Sequence, residues 1–473
     1  MNKKIKKSFM IYFTIVIVAI IMCLGFVSGH YSTDDYNIMN IGYHDYSIYF
    51  NLVNGRPIMF FIDQIYRLFN INYDVFFIST VVIAIFLTCL NIMMIYQLIE
   101  KYINKKDWYI IYIILFFTIF NFMYIESLYF VESCVMALSL VLYTLSAKYF
   151  FRNDKYSFLK SFLFNTLAMF CYNAFECYFI ILIMFISFMK NKQICKNVFL
   201  DVFKAGAMII TTIILNFIQI KTLCHLLDIT STRIQGFSFS NLFIIISNIP
   251  KIMIETCNLF PKYLFVACLT ALLFLSLIYD KNSWELLFDN LLLSIACILS
   301  SFCISTFSLS SFSTGRLSYG VGMTIGIVTL NFFCKIKKNG LLKKALVIFV
   351  IFYSLINFFN YYYKTMQSRK LNKIEKNEVI NLDKKIRKYE IDNNIVVDKV
   401  VLLSDYSGRK VNIIEFNALY AEWSALGVIN FYTNRNIKKQ NITDEETYEY
   451  SVKMKNKEYM FDKDILILRV YDW

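Results

Sequence analysis

A chain of 473 residues with 58% hydrophobic content and only three prolines, at a mean hydropathy of +0.52, is too apolar to be an ordinary soluble protein. Its net charge of +14 does not mark a nucleic-acid binder. The lysines and arginines sit in short clusters between apolar runs, as in polytopic membrane proteins.

The chain opens on a lysine-rich heptad and an apolar run at 9–28. That run is too long for a signal-peptide core and no A-x-A-like site follows, so a retained helix is expected. Residues 29–70 form a polar stretch with two of the three histidines, the pair Asp34-Asp35 and the turn Asn54-Gly55-Arg56-Pro57. Pro57 is predicted to start an amphipathic helix ending at Phe69. Asp63, Gln64 and Arg67 share one of its faces, and the apolar remainder suits a membrane interface.

Further bilayer-length runs are expected as helices at 75–98, 108–125, 128–150, 158–172, 175–189, 205–220, 263–279, 286–307, 317–334 and 345–363. The expected fold is therefore an all-α polytopic membrane protein of about eleven transmembrane helices. Loops after even-numbered crossings are rich in lysine, for example Lys101, Lys105 and Lys106, and the opposite loops are poor in it. That bias puts the N-terminus in the cytoplasm, and residues 29–70 and 221–262 outside. Within 221–262, the apolar piece 242–249 is too short to span and is expected to be re-entrant or surface-lying.

Twelve cysteines read as small apolar residues of helices, with no CxxC spacing and no metal site. Only Cys224 and Cys257 share a loop and could pair.

The composition changes after Tyr363. Residues 1–363 read as the membrane domain and 364–393 as a charged helical connector. Residues 394–473 read as a small extracytoplasmic α/β domain, with strands at 394–403 and 464–470, a turn at 404–410 and a short helix at 418–426.

Candidate chemistry collects on the outer side. Adjacent carboxylates at Asp34 and Asp35, beside a low-dielectric bilayer, can have a raised pKa and serve as a general base. An acidic solvated loop is the plain alternative. Arg56, at the start of the interfacial helix, can hold a phosphate, or simply snorkel to headgroups. Tyr36 and His44 share the stretch and join the candidate substrate-binding residues. Glu126 and Glu132 flank another outer helix end, Glu176 lies at an outer turn, and Arg233 and Arg316 are outer cations able to join Arg56 around an anion.

One outer loop carrying Asp-Asp-Tyr and, about twenty residues on, Gly-Arg-Pro before a hydrophobic helix resembles the bacterial O-antigen glucosyltransferase (Gtr-type) family, within the GT-C superfamily. The likeness covers residues 1–363, including the helix count and the outer Gly-Arg at 315–316. It implies a glycosyltransferase of the bacterial inner membrane with Asp34 or Asp35 as catalytic carboxylate. It implies a polyprenyl-phosphate-linked sugar as donor, an envelope glycan as acceptor, and no metal or other cofactor. An envelope polysaccharide polymerase or ligase would share the topology. A transporter or flippase would instead place charges at mid-membrane and show repeat symmetry, and neither pattern is evident.

Overall fold

In a bilayer the backbone finds no water to bond, so apolar sequence closes its hydrogen bonds within helices. A computed structural model describes residues 3–152, 154–191, 196–230, 263–278, 283–301, 314–336, 340–405, 413–455 and 457–471, with 247, 250, 253–254, 256 and 260–261 between them. The chain begins with helices α1 (Lys3–Met22), α2 (Leu24–Val27), α3 (Thr33–Tyr46), α4 (Pro57–Leu68) and α5 (Tyr73–Ile99). Next come α6 (Trp108–Ile119), α7 (Tyr124–Tyr129), α8 (Ser133–Phe150), α9 (Ser157–Cys171), α10 (Glu176–Asn191) and α11 (Lys196–Leu227). The rest of the helical part is α12 (Leu264–Leu277), α13 (Ser283–Ser300), α14 (Tyr319–Lys335) and α15 (Leu341–Asn393).

Among the described residues, five helical segments are long and apolar enough to cross a membrane: Tyr73–Ile99, Ser133–Phe150, Asn173–Asn191, Lys196–Leu227 and Leu341–Asn393. Shorter apolar helices accompany them, such as Trp108–Ile119 and Ser157–Cys171. The run expected at 108–125 breaks after Ile119, and α7 fills the gap before α8. The piece at 242–249 and the partner cysteine Cys257 lie outside the described residues, and Cys224 is a free thiol.

The bundle packs around α14, which is buried from Tyr319 to Phe333. Gly322 and Gly326 let it approach α6, because a Cβ at either position would collide with Asn121 or Thr118. Buried polar groups in this core bond to one another. Thr144 donates to Asn91 at 2.6 Å, and Asn91 donates to the Tyr178 hydroxyl at 3.0 Å.

The largest departure from expectation is in residues 29–70. The part read as a polar loop contains a helix, α3, ahead of the α4 expected from Pro57. The connector expected to be helical at 364–393 is helical, and it continues α15 without a break. No glycine or proline interrupts that helix over its 53 residues. It ends at Asn394, whose positive φ of 52° closes the helix in the left-handed conformation.

Beyond it lie four strands: β1 (Lys399–Asp405), β2 (Lys438–Lys439), β3 (Tyr459–Asp462) and β4 (Ile465–Tyr471), in the order β2-β1-β4-β3. β1 is parallel to β2 and β4, with Val401 opposite Ile467, and β3 is antiparallel to β4. The C-terminal part of α15 and α16 (Ala425–Thr433) cover one face through Val379, Leu382, Ile386 and Val428. α17 (Asp444–Met454) covers the other through Met454. The helix expected at 418–426 is a 3₁₀ turn, Ala418–Tyr420, and α16 starts later. Asn417 explains the displacement, since its side chain accepts from the Leu419 amide and fixes the tighter turn.

Candidate functional site

Ser32 caps α3, and its hydroxyl accepts from the Asp35 amide at 3.2 Å. Asp35 Oδ2 in return accepts from the Ser32 amide at 2.7 Å, which completes a capping box. One oxygen of Asp35 is therefore fixed, while Oδ1 is buried without a protein partner. Burial pushes the Asp35 pKa well above the carboxylate value. The Ser32 bonds oppose this, and the charges of Asp34 and Glu132 add to it. Asp34, half-buried, occupies the preceding position on the same turn.

Arg56 stands at the N-cap of α4, directly before Pro57 at the first helical position. Its Nη1 donates to Glu132 Oε1 at 3.4 Å, both side chains being buried. Tyr46 donates to the same oxygen, and the guanidinium lies 4.9 Å from the Tyr172 ring centre. Arg56 Nε and Glu132 Oε2 are buried without protein partners. Asp63 departs from expectation. Instead of sharing an outer face with Gln64 and Arg67 it turns inward, and its Oδ2 accepts from Asn51 at 2.8 Å. Burial raises its pKa, the Asn51 bond opposes this, and the charge of Glu132 adds to the rise. Arg67 bonds Gln64 at 3.1 Å instead.

Glu126, on α7, holds the turn before α14 with both oxygens. Arg316 Nε donates to Oε1 at 2.9 Å and the Gly315 amide to Oε2 at 2.6 Å. Gly315 has to be small here, because a Cβ would press on the Met123 carbonyl and the Glu126 carboxylate. The Arg316 guanidinium rests 3.9 Å from the Phe130 ring centre. Burial works against the Arg316 charge, but Tyr172, Glu126, Asp34 and Glu132 more than offset it. The fields of Asp34, Asp35, Glu132 and Arg316 thus overlap, and the two arginines share Tyr172 as a neighbour.

The other expected residues are not drawn into this cluster. Tyr36 is buried and donates to Glu375 at 3.0 Å, with the Tyr432 hydroxyl at 2.8 Å, so it belongs to the seam between α3, α15 and α16. His44 is exposed near the end of α3. Glu176 starts α10, buried, with neither carboxylate oxygen bonded to protein. Arg233 lies outside the described residues. Conversely, Asn51 and Tyr172 reach the cluster with no warning from sequence, and Asp63, expected on one face with Gln64 and Arg67, reaches it by turning inward, whereas Ser32-x-x-Asp35 was a readable cap signal. The hydroxyls of Thr33, Ser127 and Ser133, neighbours of Asp34, Glu126 and Glu132, are also buried without protein partners. Among the described residues no group of three His, Cys, Asp or Glu side chains is arranged to hold a metal ion.

Asp35 can accept a proton and the two guanidinium groups can meet a growing negative charge, and Glu132 is the neighbour whose charge acts on Asp35, Arg56 and Arg316 alike. The family model described as glucosyl transferase GtrII matches residues 23–331. The matched segment holds α3, α4 and α7 through most of α14, and with them Asp34, Asp35, Arg56, Glu126, Glu132 and Arg316. No match was found among the curated proteins.

Proposed function

The chain belongs to the GtrII family of glucosyl transferases, and on that premise we propose that it moves glucose from a polyprenyl-phosphate donor to an envelope glycan. The reaction is assigned to the extracytoplasmic face of the bacterial inner membrane, in a GT-C-type bundle of eleven spans with a cytoplasmic N-terminus. The C-terminal sheet domain is assigned to the outer side. Neither a metal nor another cofactor is required in this reading.

The observation that carries it is Asp35: a fixed carboxyl group with one buried oxygen left open, within the field of Glu132 and one residue from Asp34, which faces Arg316 electrostatically. In the proposed step Asp35 Oδ1 takes the proton of an acceptor hydroxyl as that oxygen bonds to the anomeric carbon. The bond from that carbon to the lipid-phosphate oxygen breaks, and the phosphate leaves with the electron pair. Arg56 and Arg316 stabilise its charge. Glu132 and Glu126 hold the two arginines until the phosphate arrives.

Asp35→Asn tests the assignment, because the amide oxygen can still accept from the Ser32 N–H and keep the cap. Transfer from polyprenyl-phosphate-glucose should fall by roughly 10²–10⁴-fold with the protein still folded. Asp34→Asn should fall less. A wild-type rate in Asp35→Asn, with loss in Asp34→Asn, would move the base to Asp34.

A further inference from the structure

We propose that Asn372 and Glu375, one turn apart on α15, are positioning residues that hold the Asp34-Asp35 turn in register, and that the C-terminal domain serves the reaction by holding Glu375. What the two aspartates do rests on the glycosyl-transfer reading. How they are held is read from hydrogen bonds alone.

Asn372 grips the backbone just before the Ser32 cap. Its Oδ1 accepts from the Tyr31 amide at 2.9 Å, and its Nδ2 donates to the Tyr31 carbonyl at 2.9 Å. The same Nδ2 donates to Glu375 Oε2 at 2.8 Å. That oxygen also accepts from the Tyr36 hydroxyl at 3.0 Å, just after the aspartate pair. The other oxygen, Oε1, accepts from the Ala418 amide of the C-terminal domain at 2.7 Å. Tyr432 of α16 meets the Tyr36 hydroxyl at 2.8 Å.

Residues 31 and 36 are thus tied to one helix on either side of the cap and the two aspartates. Apolar packing alone would hold the domain in place without fixing the backbone at atomic precision. Directional bonds to both main-chain atoms of Tyr31 do fix it. Glu375 is buried with three donors from three segments, so its carboxylate joins the α3 turn, the long helix and the sheet domain. Since a displacement near 1 Å at a reacting group can lower a rate by about 10²-fold, a loosened turn should be read in turnover before it is read in substrate binding.

The test uses full-length protein in lipid nanodiscs, with polyprenyl-phosphate-glucose as donor and an envelope glycan preparation as acceptor. Asn372→Ala and Glu375→Ala should each lower kcat roughly 10- to 100-fold with the donor KM within about twofold. Tyr36→Phe, which removes the hydroxyl's bonds to Glu375 and Tyr432 but keeps the ring and the other two bonds of Glu375, should lose less than Glu375→Ala. Hydrogen exchange should rise at residues 32–36 and stay at wild-type level in β1 and β4. Unchanged kcat together with unchanged exchange at 32–36 overturns the proposal. So does an even loss of protection across the whole chain, which would mean a general folding role. If wild type transfers no glucose, the functional reading fails and exchange alone still decides the tether. If Asp35→Asn is inactive while Glu375→Ala keeps the wild-type rate, the tether fails and the functional reading stands.

Discussion

At the scale of single residues, Asp35 divides its work between two oxygens, one spent on the cap and one left open. Burial raises its pKa, and this has two consequences of opposite sign. Ionisation is what a base needs, so kcat/KM should rise with pH through a limb lying above the ordinary carboxylate range. The folded state meanwhile holds the proton more tightly than the unfolded chain. Stability contributed at low pH is therefore lost as pH rises from the ordinary carboxylate range through the folded-state pKa. Asp35→Asn should abolish the activity limb and flatten that part of the stability profile, read as rate and as Tm against pH. A limb that persists unchanged in the residual rate of Asp35→Asn would assign it to another group. Asp63 is another buried carboxyl group of the cluster, beside Asp35, Glu126 and Glu132. Nothing in its spacing from Gln64 and Arg67 revealed the inward turn, because Asn51, which bonds it, comes from a separate segment.

At the scale of elements, the long apolar helices were legible because hydropathy and length are local properties of the sequence. α3 was misread as loop because its mean composition is polar, although the Ser32-x-x-Asp35 cap was visible. The seam was not legible at all. Its bonds join residues 339 and 341 positions apart, and no local pattern encodes such a pairing. That seam makes a sharp prediction through glycine. α16 lies so close to α3 that a Cβ at Gly427 would run into the Tyr36 carbonyl, whereas a Cβ at Gly206 on α11 meets nothing within 4 Å. Gly427→Val should destabilise the docked domain by about 1–3 kcal/mol and expose the segment after Asn393 to trypsin. Gly206→Ala should be neutral or gain up to about 1 kcal/mol from helix propensity. Thermal melts with limited proteolysis compare the two, and equal behaviour would refute the tight contact.

At the scale of the whole molecule, the lysine bias assigns sides that labelling can check. Among the described cysteines only Cys224 and Cys334 are not buried, and the labelling uses a background in which these two and Cys195, Cys257 and Cys303 are replaced by serine. Asp45 on α3 and Tyr448 on α17 are exposed, as is Lys155 between α8 and α9. Asp45→Cys and Tyr448→Cys should react with a membrane-impermeant maleimide in intact spheroplasts, and Lys155→Cys only after lysis. The reverse pattern would invert the topology and move the aspartates to the cytoplasmic side.

The unbroken α15 also works as a ruler. Its 53 residues make a rod about 80 Å long, and Asn372 and Glu375 stand about 14 and 18 Å past Tyr363 along it. The apolar half settles at a depth chosen by the lipid tails, while α3 is carried by other helices with other lengths. Changing acyl-chain length therefore slides one end of the tether against the other, at a cost of fractions of a kcal/mol per ångström. In vesicles of graded chain length the rate should peak at one thickness and fall on both sides. Cutting the tether with Glu375→Ala should lower that peak and broaden it, so that the membrane's own thickness becomes a determinant of turnover only while the rod is attached.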